Sequence, residues 1–145
     1  MICINMKLPS LNTYIDRCKY NKNVGNSLKQ NVQSDIAKFL TDMPVYTKPI
    51  FIHFLWVEKK KVKGRKRDLD NICSAKKYIL DAMVKLKKIK DDGRKFVVGF
   101  SDLFIDDEIG ETRVYLKIDE ISEKSYKDKL YANFFEEIHQ FKLMP

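Results

Sequence analysis

Long apolar runs are missing from this 145-residue sequence, and none approaches the roughly 18 apolar residues that a membrane-spanning helix needs. The N-terminus has no basic segment followed by an apolar one, so we expect no secretory signal. Cysteine is scarce: Cys3, Cys18 and Cys73 are widely spaced and fit neither a zinc pattern nor a disulfide framework. There is no internal repeat, low-complexity tract or linker. These absences favour a domain without membrane segments whose thiols stay free in a reducing cytoplasm.

The residues that are present suit one folded domain with an uneven charge distribution. Hydrophobic residues make up 44% and charged residues 33%, enough for a core and too apolar for a disordered chain. The net charge is +8, yet seven of the 28 basic residues fall within 59–67, where there is no acid. Such a local basic run attracts polyanions, most commonly nucleic acid. The alternative interpretation is a solvated loop or a localisation-like run.

Hydrophobic patterning predicts the α+β class, with a small mixed sheet flanked by helices in a single domain over 1–145. The predicted strands cover 2–8, 50–57, 95–104 and 112–118, and the predicted helices cover 26–43, 71–88 and the tail from Ser122 or Ser125. Residues 50–57 are nearly all apolar, which indicates a strand buried on both faces. His53 within it is more often a hydrogen-bonded core residue than a ligand. Residues 112–118 alternate, which is typical of a half-exposed antiparallel strand, whereas 12–30 are polar and poor in pattern.

Carboxylates at two places predict a metal site. Asp68-Leu69-Asp70-Asn71 directly follows the basic run, and Asp91-Asp92 follows the predicted helix. On extended chain Asp68 and Asp70 would point the same way, and Asp91 or Asp92 could return beside them. Mg²⁺ binds a few carboxylates with water and substrate phosphate, and it offsets charge during phosphodiester cleavage. The pattern therefore predicts a nuclease site, unless Asp70 or Asn71 merely caps the helix and Asp91-Asp92-Gly93 is only a turn.

A lysine of the predicted helix shares a face with these acids. If the helix begins near Asp70, Lys77 lies about two turns along on the same polar face, opposite the apolar stripe. Lys76 is turned roughly 120° away. The helical wheel therefore favours Lys77 as the lysine that stabilises a leaving oxygen or orients water.

These motifs resemble the RusA-type Holliday junction resolvases, in particular the versions carried by phages and prophages of Gram-positive bacteria. The likeness rests on Arg67-Asp68-Leu69-Asp70-Asn71, Lys77, Asp81-Ala82 and Asp91-Asp92, and it extends through 8–15, 75–82 and 98–102. The sequence departs from the family pattern in two places. The segment from Asp70 to Asp81 is three residues longer, and Lys87-Lys88 stands where a glycine is usual.

The resemblance implies a RusA-like fold and a homodimeric, Mg²⁺-dependent endodeoxyribonuclease, with Mn²⁺ as an expected substitute. Such an enzyme cuts four-way DNA junctions symmetrically in recombination and repair, here in the cytoplasm of a bacterial host. The family's metal-binding acids correspond to Asp68, Asp70 and Asp92, with Asp91 as the alternative to Asp92, and its essential lysine corresponds to Lys77. The side chains predicted to contact DNA are Lys59, Lys60, Lys61, Lys63, Arg65, Lys66, Arg67 and Asn71. Two alternatives stay open: a DNA-binding protein without cleavage that uses the 59–67 loop, and another metal-dependent nuclease that cuts flaps or single strands.

Overall fold

The centre of the fold is a mixed four-stranded sheet. The computed structural model describes residues 1–60, 66–108 and 110–122. The strands are β1 (Ile2–Ile4), β2 (Ile50–Lys59), β3 (Val97–Asp107) and β4 (Arg113–Glu120), in the spatial order β1-β4-β2-β3. β2 runs parallel to β3 and antiparallel to β4, which also pairs antiparallel with β1. Together with the helices described next, this sheet confirms the α+β class.

Two helices precede the central strand: α1 (Leu11–Tyr20) and α2 (Lys22–Leu40). Side chains cap both, because Ser10 accepts from the Thr13 amide at 3.3 Å and Asn21 accepts from the Asn23 amide at 2.8 Å. Helical structure over most of 12–30 was not predicted, since polar residues dominate this stretch; α1 itself buries no residue. α1 packs closely on α2 at Gly25, where a Cβ would lie 2.4 Å from the Cys18 sulfur.

The core lies between the sheet, α2 and the helix that follows the basic run. Its fully buried members include Ile36, Ile52, Ile79 and Leu116, and each such side chain contributes about 1.5–3 kcal/mol when buried. β2 is buried on both faces as predicted, although its two middle residues, His53 and Leu55, are only half-buried. β4 alternates as predicted, with Val114 and Leu116 buried in the core.

The predicted helix 71–88 is divided into α3 (Leu69–Cys73) and α4 (Lys76–Lys85). At the junction the Ala75 amide bonds the Ile72 carbonyl and the Tyr78 amide bonds the Ala75 carbonyl, each three residues back. The Ser74 hydroxyl donates to the Asn71 carbonyl at 2.8 Å, a local bond that competes with regular helix. The apolar stripe of this segment is buried as predicted. However, a wheel drawn at a constant 100° per residue does not hold across the break.

The remaining boundaries differ modestly from the predictions. β3 covers Val97–Asp107, so it begins two residues later and ends three residues later than the predicted strand 95–104. The C-terminal helix predicted from Ser122 or Ser125 lies outside the described residues, apart from its possible start at Ser122. Among the helices that the structure describes, none combines the length and apolar character needed to cross a bilayer.

Candidate functional site

Arg67 anchors the chain where it leaves the basic run. Its Nε donates to Glu58 Oε2 at 3.2 Å, its Nη2 donates to Glu58 Oε1, and its Nη1 donates to the Leu8 carbonyl at 2.7 Å. Both side chains of the pair are mostly buried, at 18% and 19% exposure. A bidentate contact of this kind has a defined geometry. It holds the segment before α3 against the end of β2 and against the β1–α1 connection, so the guanidinium predicted to bind DNA is occupied by internal contacts.

The Arg67 anchor creates a polar cleft, called here the Asp68 cleft, of about 220 Å³. Its lining residues come from two distant parts of the sequence: Ser10, Asn12, Lys66, Arg67, Asp68 and Asn71. Asp68 precedes α3 with extended backbone, and Asp70 lies in the first turn of that helix. Both residues are exposed. Asn12 and Ser10 were not predicted as site residues, although they lie in one of the stretches that carried the family resemblance.

Lys76 takes part in a packed ion pair on the sheet. Its ammonium lies 2.6 Å from Asp102 Oδ2, and the Trp56 indole donates to Asp102 Oδ1 at 2.8 Å. The side chains of Lys76 and Asp102 are only 19% and 21% exposed. Burial raises the pKa of the neighbouring Cys73 thiol; Lys76 opposes this effect, and Asp102 and Asp70 add to it. Asp102 was not predicted as a site residue, although it lies in 98–102, one of the stretches that carried the family resemblance.

Lys77 and Asp92, both predicted site residues, are in contact at 2.6 Å. The same ammonium lies 2.8 Å from Asp81, which also pairs with Lys29 at 2.8 Å and accepts from Gln33 at 2.9 Å. Hydrogen bonds to Asp81 and Asp92 raise the pKa of Lys77. Burial alone raises the pKa of the Asp81 carboxyl, but the hydrogen bonds from Lys29 and Lys77 outweigh it and leave the pKa below its usual value. We call Lys29, Gln33, Lys77, Asp81 and Asp92 the α4 cluster.

The predicted ligands are therefore distributed over two places. Asp68 and Asp70 lie at the start of α3, whereas Asp92 lies in the α4 cluster. Within the described residues, no three histidine, cysteine, aspartate or glutamate side chains form a group that could hold a metal ion. Mg²⁺ is nevertheless commonly bound by one or two carboxylates, completed by water and substrate phosphate. Asp68 and Asp70 are exposed carboxylates of the kind that Mg²⁺ uses, and the Asp92 carboxylate contacts Lys77.

The basic run lies beside an acidic one. Lys59 contacts Glu111 at 2.9 Å, and Lys60 and Lys66 contact Glu108 and Asp106. The other predicted DNA-contacting residues of the run, Lys61, Lys63 and Arg65, lie outside the described residues. Asp106 and Glu108 lie at the end of β3, 40 and 48 residues after the lysines that they contact. The charge pattern of the sequence therefore could not show that these acids lie beside the basic run. Exposed pairs of this kind contribute only about 0–1 kcal/mol, so phosphate can replace the acids at low cost.

A second and larger cleft adjoins the Asp68 cleft at the ends of β2 and β3. Its volume is about 350 Å³. Its lining residues are Lys7, Glu58, Lys59, Lys66, Arg67, Leu69, Ile72, Phe104, Ile105, Asp106 and Thr112. Lys66 and Arg67 line both clefts, so the two are neighbours. We call it the apolar cleft, after the four apolar side chains among its lining residues.

His53 lies on β2, which is flanked by β3 and β4, and it lines neither cleft. Its Nδ1 is 2.6 Å from the Ser101 hydroxyl, and its Nε2 is 3.1 Å from Asp119. Both ring nitrogens therefore have partners within the sheet. This agrees with the prediction of a hydrogen-bonded histidine, although its side chain is 34% exposed rather than fully buried.

Comparison with known proteins does not place the chain in a family. No family model matches the sequence, and no curated protein matches it. The functional interpretation therefore rests on the motifs of the sequence and on the geometry of the two clefts and the α4 cluster.

Proposed function

We propose that this protein is a metal-dependent endodeoxyribonuclease of the RusA type that cuts branched DNA, four-way junctions in particular. The observation that carries the proposal is the Asp68 cleft. Two stretches of the family resemblance, one around Ser10 and Asn12 and the other at Arg67–Asn71, meet there although more than fifty residues separate them. An open cleft with a carboxylate, two amides and two cations is the kind of surface that phosphodiester chemistry requires.

Within this cleft each kind of side chain has a distinct part. Asp68 in the cleft and Asp70 in the adjoining first turn of α3 would hold a divalent cation, which supplies charge stabilisation at the phosphate when bound. Asn12 and Asn71 carry amide groups that can donate to phosphate oxygens. Lys66 adds positive charge at the entrance once it exchanges Asp106 for phosphate. The family resemblance assigns Asp92 and Lys77 to the same site, and their mutual contact means that they would act as a unit.

A DNA-binding protein without cleavage is the second candidate. It is favoured by the contact between Asp92 and Lys77, because an acid already paired with a lysine is a poor metal ligand. It is also favoured by the absence of any three-acid group in the part of the chain that the structure describes. Under this alternative Asp68 and Asp70 serve only as helix-terminal residues.

One cleavage assay separates the candidates. Synthetic four-way junctions, flaps, duplexes and single strands are incubated with the protein in Mg²⁺, in Mn²⁺ and in EDTA. We expect metal-dependent cleavage of the junction, reduced at least about 100-fold by Asp68→Asn or Asp70→Asn, because a metal supplies several kcal/mol and about 1.4 kcal/mol corresponds to tenfold. Junction binding should persist, since each change removes an anion that repels phosphate.

Asp16→Asn, a change of an equally exposed acid in α1, serves as the matched control and should leave cleavage unchanged. A junction that is bound but never cut in either metal would establish the binding protein instead. Preferential cleavage of flaps or single strands would establish a nuclease of another specificity.

We also propose that the protein acts as a symmetric homodimer. A four-way junction has pseudo-twofold symmetry and needs two coordinated cuts, which suits two sites related by a twofold axis. The expected result is a dimeric mass in light scattering at micromolar concentration. A monomeric mass together with paired cuts on the junction would contradict this part of the proposal.

A further inference from the structure

The apolar cleft combines an exposed apolar surface with a basic rim. Leu69 is 56% exposed, whereas apolar side chains of this size are usually buried. The charged lining consists of four basic side chains, Lys7, Lys59, Lys66 and Arg67, and two acidic ones, Glu58 and Asp106. A ligand with an apolar body and a negative charge complements this surface.

The aromatic member of the cleft has a fixed orientation. The Phe104 ring stacks on Trp56, with 6.5 Å between ring centroids and 16° between ring planes. The Trp56 indole is itself held by Asp102. Phe104 therefore offers a preorganised aromatic ring in the cleft, and nucleobases stack on such rings largely without regard to sequence.

The size of the cleft limits what it can accept. Its volume of about 350 Å³ lies near the lower end of the roughly 300–1,000 Å³ that small-molecule pockets span. That space suits one planar base, and it excludes a stacked duplex. Because Lys66 and Arg67 line both clefts, a base in the apolar cleft would remain connected to a phosphate near Asp68.

We infer that the apolar cleft binds one unstacked nucleobase of the DNA strand whose phosphate occupies the Asp68 cleft. This inference rests on the proposed function and adds a substrate feature to it. In duplex DNA every base is paired and stacked, so removing one costs a few kcal/mol. Unpaired or loosely stacked bases at a branch point enter at lower cost, and the cleft would thereby favour branched over linear DNA.

The test measures binding in EDTA, so that it does not depend on cleavage. Anisotropy of fluorescein-labelled junctions is recorded with intact strands and with strands that carry one abasic nucleotide at successive positions around the branch point. For the wild-type protein we expect one position at which loss of the base weakens binding about 5-fold or more, the lower range for a base stacked on an aromatic side chain. A 2-aminopurine at that position should become more fluorescent on binding, because it leaves its stacked neighbours.

The variant Leu69→Ala removes exposed apolar surface from the cleft. It should bind the intact junction about as weakly as the wild type binds the abasic one. It should lose nothing further when the base is missing, and it should give no 2-aminopurine signal. Leu103→Ala is the matched control, because its side chain is 63% exposed and lines neither cleft. It should behave as the wild type, and circular dichroism should show that both variants are folded.

The possible results separate this inference from the proposed function. The inference is overturned if no abasic position weakens binding, or if the cleft variant senses the abasic position as strongly as the wild type does. A protein that shows the abasic effect but cuts no junction in Mg²⁺ keeps the base site and loses the nuclease assignment. A protein that binds none of the DNA substrates loses both.

Discussion

The start of α3 and the α4 cluster both contain aspartates, but these aspartates differ in how exposed they are. Asp68 and Asp70 are exposed, and Asp68 lines an open cleft. In the α4 cluster Asp81 is only 18% exposed, and both Asp81 and Asp92 contact Lys77. Both regions come from one stretch of sequence in which the acids look equivalent.

The difference contrasts exposed acids at the start of α3 with partly buried acids whose contacts connect α2 to α4 and to Asp92. A partly buried carboxylate with several partners contributes to stability, and losing a partner leaves an uncompensated charge. An exposed carboxylate contributes little to folding and stays available to a cation or a substrate. The contrast therefore places the open part of the proposed site at α3. The α4 cluster joins it only if Asp92 can exchange its lysine for a metal.

The largest expected effect comes from testing whether the two regions work as one site. Under the proposed function Asp92→Asn removes a ligand charge and should lower junction cleavage at least about 100-fold, as the metal supplies several kcal/mol. The neighbouring Asp91→Asn is the control and should leave single-turnover rates near wild type. An active Asp92→Asn with an inactive Asp91→Asn would reverse the assignment. If both cleave normally, the α4 cluster is structural.

The two adjacent lysines sharpen the same comparison. Lys77→Ala should lower the cleavage rate about 100- to 1,000-fold, the usual effect of removing one donor to a developing oxyanion, while junction binding is retained. Lys76→Ala should cleave nearly normally but lose about 1–3 kcal/mol of stability, because Asp102 would be left partly buried without its cation. Single-turnover kinetics and urea unfolding of both variants measure the two effects. If instead Lys76→Ala abolishes cleavage and Lys77→Ala cleaves nearly normally, Lys76 is the lysine of the site.

A smaller effect concerns the stability supplied by the α4 cluster. Asp81→Ala removes hydrogen bonds with Lys29, Gln33 and Lys77 and should lower the free energy of unfolding by about 1.5–3 kcal/mol. Asp35→Ala, in which the acid is 51% exposed and pairs with Lys38, should change it by less than about 0.5 kcal/mol. Equal effects in urea unfolding would mean that the cluster does not connect α2 to α4 energetically.

The contribution of Asp81 should also depend on pH in one direction. Its pKa is lowered in the folded protein from the ordinary value of 3.8, so the carboxylate stabilises the fold above that value. The contribution is lost as the pH falls through the lowered pKa. The stability difference between wild type and Asp81→Ala should therefore be constant near neutral pH and shrink below about pH 4. A difference that grows on acidification would contradict the assignment.

The smallest expected effect concerns the acids beside the basic run. Glu108→Gln frees Lys60 from its partner, so junction binding should tighten and its dependence on salt should steepen by up to about 0.9 in log K against log salt. Asp35→Asn is the control for the loss of one exposed negative charge elsewhere. If both variants change the slope equally, the pairing of Lys60 with Glu108 has no local effect on DNA binding.

The sequence by itself determined the features that depend on local periodicity. The buried stripe of Ile79 and its neighbours and the alternation of β4 repeat at the spacing of the helix or strand that carries them, so each could be predicted without its partner. The α+β class followed from the same patterns. α1 was not predicted, and it buries no residue. The break at Ser74 was not predicted either, because the apolar stripe continues across it while the Ser74 hydroxyl bonds the Asn71 carbonyl locally.

Only the tertiary structure decided which charges meet. Arg67 contacts Glu58 and the Leu8 carbonyl, Lys76 contacts Asp102, and Lys77 contacts Asp92. The partners lie 9 to 59 residues apart in the sequence. Charge has no periodicity that would record these partners, because an ion pair depends on distance in space and not on spacing along the chain. For the same reason the acids opposite the basic run, and the meeting of Asn12 with Asp68, became visible only once the strands and helices were packed.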